Sequence, residues 1–190
     1  MSKILLFGGT FDPVHNGHVA LLECAIEAIR PDKVGVIPVG NPWQRGRLPF
    51  APGASRCAML RLAFPHATID ERELRREGPT YTVDTLRAIA VAHPKASLIW
   101  LLGTDSFARL DTWHEAGALA GLASFAVVRR AAEAVVAPTG NFQYQVVDCA
   151  PPAVSSTDIR ELRRRGASIR ELVPAAVCDY IQQHQLYAGL

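Results

Sequence analysis

The amino-terminal segment constrains this chain more than any other part of it. A short apolar run, residues 3–7, leads into two glycines, an Asp-Pro turn and two histidines spaced three residues apart. Helix starts carry unpaired backbone N–H groups and a positive dipole end, so they attract phosphate. Glycine lets the backbone approach a ligand that a Cβ would block, and imidazole adds donors for oxyanions. The segment therefore predicts a polyphosphate site between a strand and a helix. It reads Gly8-Gly9-Thr10-Phe11-Asp12-Pro13-Val14-His15-Asn16-Gly17-His18.

Two other interpretations of this segment are open. An ordinary glycine turn with both histidines on the surface or in the core would need no ligand. A zinc pair would need a third protein ligand and a second shell, and no obvious one accompanies His15 and His18. The segment also lacks the patterns of a P-loop and of a dinucleotide-binding turn, so the predicted phosphate site is of another type.

Composition limits the class of protein. With 190 residues, 49% of them hydrophobic and 20% charged, we expect one domain with a real core, and 155–190 as its helical carboxyl-terminal part. A net charge of +2 gives no support for holding long nucleic acid. We expect no membrane partner, because no apolar run approaches membrane-spanning length and no targeting segment is visible.

The cysteines give a further expectation about the compartment. The chain has four, without a Cys-x-x-Cys pair, and three of them lie in apolar helical patterns. We therefore expect reduced, buried thiols in a cytoplasmic protein. They are Cys24, Cys57, Cys149 and Cys178.

The alternation of apolar patterns predicts an α/β fold, a Rossmann-like doubly wound parallel sheet with helices on both faces. We expect strands at 3–7, 33–39, near 67–70, at 97–102 and 124–128, and an edge strand at 143–148. We expect helices at 17–29 (burying Leu21, Leu22, Ala25, Ile26 and Ile29), around Met59, Leu60 and Leu62, at about 82–92, and two more within 155–186. Ligands of such sheets bind beyond the carboxyl ends of the strands. Gly8-Gly9 and Gly103-Thr104-Asp105-Ser106 both follow strands.

A second helix start lies late in the chain, at Ser155-Ser156-Thr157-Asp158-Ile159-Arg160. Either serine can cap the helix, and Asp158 supplies the carboxylate of a capping box. By itself this segment is typical of a well-capped surface helix. Together with the first segment, two helix starts and Arg160 could surround one polyphosphate from both sides, whereas residues 163–165 are more consistent with a solvated face.

The first segment resembles the His-x-Gly-His signature of the nucleotidylyltransferase superfamily, and residues 155–160 resemble its second signature. Other segments are similar to nicotinate-nucleotide adenylyltransferases, and the resemblance runs from residue 3 to about residue 187. These segments are Asp70-Glu71-Arg72-Glu73-Leu74, the stretch from Gly78 to Leu86, Gly103-Thr104-Asp105-Ser106, Trp113, and Val127-Val128-Arg129-Arg130.

The resemblance implies adenylyl transfer from ATP to nicotinate mononucleotide in NAD biosynthesis, with Mg²⁺ carried mainly by the ATP phosphates. The implied catalytic residues are His18, His15 and Arg160. The implied ATP-binding residues are Gly8, Gly9, Thr10, Phe11, His15, His18, Gly103, Asp105, Ser155, Ser156 and Arg160. The implied mononucleotide-binding residues are Gln44, Arg45, Thr82, Asp105, Trp113 and Arg130. No residue is implied as a metal ligand.

Several of these residues have structural alternatives. Trp113 could be core or could stack on a pyridine ring. Thr82 could be only a helix cap or could contact the nicotinate carboxylate. Asp105 could cap a helix or contact a ribose hydroxyl. Arg130 could be solvated or lie near the nucleotide, and Gln44-Arg45 stands where the family commonly has His-Lys.

Alternative functions also remain open. A sister enzyme could adenylylate pantetheine phosphate or nicotinamide mononucleotide, and a non-catalytic nucleotide-binding module could share the first segment. Homo-oligomerisation is possible and no sequence pattern decides it.

Overall fold

A computed structural model describes residues 2–42, 48–130 and 134–189, and this part of the chain forms six strands and seven helices. A short 3₁₀ turn, Leu110–Thr112, accompanies them. The strands are β1 (Ser2–Gly9), β2 (Lys33–Pro38), β3 (Thr68–Ile69), β4 (Ala96–Gly103), β5 (Ser124–Arg130) and β6 (Tyr144–Cys149). The helices are α1 (Asn16–Ile29), α2 (Gly53–Ala63), α3 (Thr82–Ala92), α4 (Thr104–Phe107), α5 (Ala116–Leu122), α6 (Ser156–Arg164) and α7 (Ala175–Gln183).

The strands form a single parallel sheet in the order β3-β2-β1-β4-β5-β6. The chain runs from β1 outward through β2 to β3 and then returns to β4 on the other side of β1. This reversal places the carboxyl ends of β1 and β4 side by side, which is where such sheets bind ligands. The predicted doubly wound parallel sheet is confirmed, and β6 is the edge strand that the sequence predicts.

The two faces of the sheet bury separate apolar clusters, because successive side chains of a strand point in opposite directions. Leu5 and Phe7 of β1 pack with side chains from α1, α2, α6 and α7. Ile4 and Leu6 of the same strand pack with side chains from α3 and α5 on the other face. Helices therefore cover both faces, as predicted.

The helices differ from the sequence expectations in two details. Ile26 was expected on the packed face of α1, but it is 38% exposed. In α1 the residues that face the sheet are Leu22, Ala25 and Ile29, and Ile26 falls at the edge of this stripe. Helix α5 was missed because only Leu119 of its small-residue sequence is buried. In the described part of the chain, no helix has both the length and the apolar character needed to cross a membrane.

The expectation of four reduced thiols is wrong for two of the cysteines. Cys24 on α1 and Cys149 at the end of β6 form a disulfide, with their Cα atoms 6.0 Å apart. Helix α1 packs against β6, which brings together two residues separated by 125 positions. Sequence spacing carries no sign of this pairing. Cys57 and Cys178 are buried and reduced, as expected.

Candidate active site

Two clefts open at the carboxyl edge of the sheet, with volumes of about 330 and 260 Å³. They adjoin at His18 and Gly103, which line both. Of the predicted site residues, the first cleft is lined by Gly8, Gly9, Thr10, Phe11, His18, Thr82, Gly103, Trp113 and Ser156. The second cleft is lined by His15, His18, Gly103, Asp105 and Arg130. Ser155 and Arg160 lie beside these two clefts without lining them, and Gln44 and Arg45 lie outside the described residues.

The two histidines cap the start of α1 by reciprocal hydrogen bonds. His15 is the residue before the helix, and its Nδ1 accepts the backbone N–H of His18 at 3.3 Å. The Nδ1 of His18 accepts the backbone N–H of His15 at 3.2 Å. This reciprocal pattern is a capping box built from imidazoles. The rings stack with their centroids 3.6 Å apart, so the cap fixes both rings at the junction of the clefts.

This arrangement also sets the protonation of the pair. Because each Nδ1 accepts a backbone N–H, the proton of each neutral ring lies on Nε2, which is then a hydrogen-bond donor. Burial lowers the pKa of His15 to about 4, partly opposed by the Asp158 carboxylate. His15 is therefore neutral at pH 7, and two stacked positive rings are avoided.

Gly8 and Gly9 are needed for packing within the protein. A Cβ on Gly8 would lie 2.3 Å from the ring of Trp100, and a Cβ on Gly9 would lie 2.8 Å from the ring of Phe11. From the sequence, both glycines were expected to allow the close approach of a ligand. The described structure gives a different reason, because aromatic side chains occupy the space that a Cβ would need. Both glycines nevertheless line the first cleft.

Asp12 anchors the turn between β1 and α1, and sequence analysis missed it. Its carboxylate is buried and accepts the backbone N–H groups of Phe50 and Ala51 at 2.7 and 3.0 Å. It also accepts the hydroxyl of Tyr187, at 2.9 Å. The carboxylate thus ties the turn to the start of α2 and to the end of the chain. No short-range signal marks these contacts, because Tyr187 lies 175 positions away.

Two buried arginines hold the backbone of the same turn. Arg56 donates from Nη1 to the carbonyl of Thr10 at 2.9 Å, and Arg160 donates from Nη1 to the carbonyl of Asp12 at 2.6 Å. Arg160 also bonds Thr157 and lies over the ring of Phe50. Two guanidinium groups therefore lie under the turn together with the Asp12 carboxylate, and their positive charge favours a polyphosphate above it.

The start of α6 lies against this turn. Ser155 caps the helix by accepting the backbone N–H of Asp158, and the Asp158 carboxylate contacts the Ser155 hydroxyl instead of its backbone. Ser156 donates its hydroxyl to the carbonyl of Pro13 at 2.9 Å. The structure therefore brings the starts of α1 and α6 together, as the sequence predicts.

The far wall of the first cleft carries the predicted acceptor residues. Thr82 is the first residue of α3 and Tyr81 precedes it, so the interpretation of Thr82 as the cap is wrong. Trp113 follows the 3₁₀ turn and lines the cleft while packing on the core. The rings of Tyr81 and His114 stack across this wall at 4.0 Å. Glu73, a buried carboxylate that sequence analysis did not select, also lines it.

The second cleft holds two predicted residues from neighbouring strand ends. Asp105 lies exposed in α4, and Gly103 is the residue before that helix. Arg130 ends β5 on the same cleft, apart from Thr82 and Trp113. The neighbouring Arg129 does not line this cleft and forms an ion pair with Asp148 of β6, at 2.5 Å. Among the described residues there is no cluster of three or more His, Cys, Asp or Glu side chains suited to a metal ion.

Comparison with known proteins agrees with this architecture. The cytidylyltransferase-like family model matches residues 6–162. A Bordetella petrii protein named probable nicotinate-nucleotide adenylyltransferase is 40% identical, and the alignment covers 98% of this chain and 100% of that protein. A Herminiimonas arsenicoxydans protein of the same name is 38% identical over 97% of this chain and 96% of its own length.

A solved structure supports the fold independently. The nicotinic acid mononucleotide adenylyltransferase of Plasmodium falciparum, in complex with NaAD, superposes with a TM-score of 0.81, covering 98% of each chain at 18% identity. This superposition shows the fold alone, whereas the 40% full-length identity to the Bordetella petrii protein shows the family. The chain therefore belongs to the nicotinate-nucleotide adenylyltransferases of the cytidylyltransferase-like family.

Proposed function

We propose that this protein transfers the adenylyl group of ATP to nicotinate mononucleotide, giving nicotinate adenine dinucleotide and pyrophosphate, a step in NAD biosynthesis. The observation that carries the proposal is the pair of clefts meeting at His18, which together offer space for two substrates on either side of this ring. Family membership supports the choice of both substrates, since the relatives that align over their full length carry this activity in their names.

The reaction needs positioning more than proton transfer. A 5′-phosphate oxygen of the mononucleotide attacks the α-phosphorus of ATP, and the bond from that phosphorus to the bridging oxygen of pyrophosphate breaks. The electron pair leaves with pyrophosphate. Because the attacking phosphate is already an anion at neutral pH, no general base is required, and charge stabilisation and alignment supply the catalysis.

We assign the stabilisation of the α-phosphate to His18. Its ring lies where the two clefts meet, and its Nδ1 is engaged by the backbone of His15. The Nε2–H is then the donor for the charge that develops in the transition state. His15 assists by holding this ring, and it lines the second cleft itself.

We assign the β- and γ-phosphates to the paired starts of α1 and α6. Gly8, Gly9, Thr10 and Phe11 form one side, and Ser155 and Ser156 the other. Arg160 contributes its positive charge from beneath the turn, where it holds the carbonyl of Asp12. The Asp12 carboxylate already accepts three hydrogen bonds from within the protein, so it is not offered to a metal ion. The site therefore fits a Mg²⁺ ion that is carried by the ATP phosphates. When bound, Mg²⁺ would neutralise phosphate charge.

We assign the wall around Thr82 and Trp113 to the nicotinate ring and its carboxylate. A carboxylate fits the start of α3 because unpaired N–H groups and the helix dipole favour an anion there. Trp113 offers an aromatic face for the pyridine ring. Asp105 and Arg130 were both expected at the mononucleotide, but they line the second cleft, apart from Thr82 and Trp113. We therefore assign them to the adenosine side and its ribose, which keeps the ATP role also expected for Asp105.

We propose further that residues 155–190 belong to the same domain as the rest of the chain. Ile159, Val177 and Tyr187 share one apolar cluster with Leu22 of α1, which supports this. We also propose that the enzyme works in the cytoplasm, where its substrate ATP is available.

Pyrophosphate release tests the proposed reaction. The protein is incubated with ATP, Mg²⁺ and one acceptor at a time: nicotinate mononucleotide, nicotinamide mononucleotide or pantetheine phosphate. We expect release to be fastest with nicotinate mononucleotide. Faster release with another acceptor would make the protein a sister enzyme, and release with none would make it a nucleotide-binding module.

A further inference from the structure

Glu73 is a buried carboxylate with no part in the reaction described above. It lies in the turn between β3 and α3, exposes 3% of its surface and lines the first cleft with Thr80 and Thr82. Burial raises the pKa of this carboxyl, and the hydrogen bond from the Thr85 hydroxyl opposes that rise. A buried carboxyl group is costly unless it is hydrogen-bonded, so this bond helps to accommodate Glu73.

The carboxylate of Glu73 is fastened to the first turns of α3. The hydroxyl of Thr85, a fully buried side chain, donates to Glu73 Oε1 at 2.7 Å. Thr85 lies one turn after Thr82 on the same helix. Since helix residues three apart are neighbours on one face, fixing Thr85 also fixes the helix start that carries Thr82.

The same turn is fastened to the segment that follows β2. The backbone N–H and the hydroxyl of Thr80 both donate to the carbonyl of Asn41, each at 3.1 Å. A Cβ at Gly40 would lie 2.1 Å from the backbone oxygen of Glu73, so the two backbones are in close contact. Glu73 therefore lies at the junction of three segments that border the first cleft.

We propose that Glu73 is a positioning residue for nicotinate mononucleotide: by holding the start of α3 it places Thr82 on the cleft wall. The proposal rests on the proposed function, because it concerns the same acceptor compartment. Glu73 acts through Thr82 and α3 and takes no part in the transfer of the adenylyl group. Its effect is therefore confined to the acceptor and leaves the ATP side of the site unchanged.

Steady-state kinetics with either substrate varied test this positioning role. For Glu73→Ala we expect the KM for nicotinate mononucleotide to rise about tenfold, as for loss of hydrogen bonds to a charged group, with the KM for ATP unchanged within about twofold. Thr85→Val removes the donor and keeps the shape, and should raise the same KM about threefold. Glu73→Gln should restore most of the acceptor affinity, because its amide oxygen still accepts from Thr85.

Glu77→Ala is the matched control, since Glu77 is an exposed carboxylate on the same turn, and it should leave both KM values unchanged. Thermal melting is measured for every variant. If Glu73→Ala does not fold, the acceptor KM of Thr85→Val, compared with that of the wild-type protein, tests the positioning role.

The positioning role would be overturned if Glu73→Ala raised both KM values equally. It would also be overturned if the variant left the acceptor KM unchanged while the wild-type protein is active with nicotinate mononucleotide. A wild-type protein inactive with nicotinate mononucleotide would instead overturn the proposed function.

Discussion

The starts of α1 and α3 border the same first cleft but are built differently. The start of α1 is closed by its own side chains, because the imidazoles of His15 and His18 accept each other's backbone N–H groups. At α3 the preceding residue, Tyr81, gives no side-chain cap within the described residues. The hydrogen bond between Thr85 of α3 and Glu73 of the preceding turn holds this helix start in place instead. One helix start holds donor side chains in a fixed place, and the other presents its backbone to an incoming group.

This difference suits the two tasks of the site. Charge that develops in a transition state is stabilised best by donors that are already in place. Recognition of an acceptor carboxylate needs only a helix start that is correctly placed and open to it. Substitutions at α1 should therefore change turnover, and substitutions at α3 should change acceptor affinity.

Replacement of His18 should have the largest effect. For His18→Ala we expect kcat to fall about 10²–10³-fold, because a transition-state donor is lost, while the Kd for ATP changes by less than about threefold. Rapid-quench kinetics and equilibrium binding measure the two quantities. His66→Ala, at an exposed histidine after α2, is the control. Equal losses in kcat and ATP affinity would show that His18 only binds the ground state.

Acid should weaken the fold through His15. Its pKa of about 4 lies below the usual 6.5. Between pH 4 and pH 6.5, His15 therefore binds a proton more readily in the unfolded chain than in the folded protein. The stabilisation from neutral His15 is complete above pH 6.5 and falls by up to about 3 kcal/mol as the pH drops to 4. Denaturant unfolding at pH 7, 5.5 and 4 measures it, and His15→Gln should lack this component. An identical pH profile in His15→Gln would contradict the assignment.

At α3, removal of one hydroxyl should act on the acceptor alone. For Thr82→Val we expect the KM for nicotinate mononucleotide to rise about fivefold to tenfold, as for one lost hydrogen bond. The KM for ATP and kcat should stay within about twofold. Thr68→Val on the exposed edge of β3 is the matched control. A drop in kcat as large as that of His18→Ala would remove the distinction between the two helix starts.

The smallest effect is expected at the end of the chain. Tyr187→Phe removes the hydroxyl that Asp12 accepts, while the bonds from Phe50 and Ala51 remain. We expect a loss of about 1 kcal/mol in the free energy of unfolding and less than a threefold change in kcat. Tyr144→Phe, at an exposed tyrosine on β6, should change neither. No loss of stability in Tyr187→Phe would mean that the turn does not depend on this contact.

The sequence predicted the elements and the location of the site better than it predicted the contacts that hold the site. Periodic apolar residues located α3 at 82–92, and the glycines that end β1 and β4 located the switch point. Asp12 with Tyr187 and Cys24 with Cys149 could not be predicted, because each pair forms only when the folded sheet brings distant segments together. Glu73 and Thr85 are only 12 residues apart, but their contact depends on the conformation of the turn before α3, which no sequence pattern indicated. Gly8 and Gly9 were selected for the close approach of a ligand, whereas the structure shows that a Cβ at either position would meet the ring of Trp100 or Phe11.

The most direct test of the account is a crystal structure with a non-hydrolysable ATP analogue and nicotinate mononucleotide bound together. We expect the α-phosphate within hydrogen-bond distance of His18 Nε2, and the β- and γ-phosphates between the starts of α1 and α6. The nicotinate carboxylate should lie at Thr82. A triphosphate lodged away from those two helix starts, or a pyridine ring outside the first cleft, would contradict it.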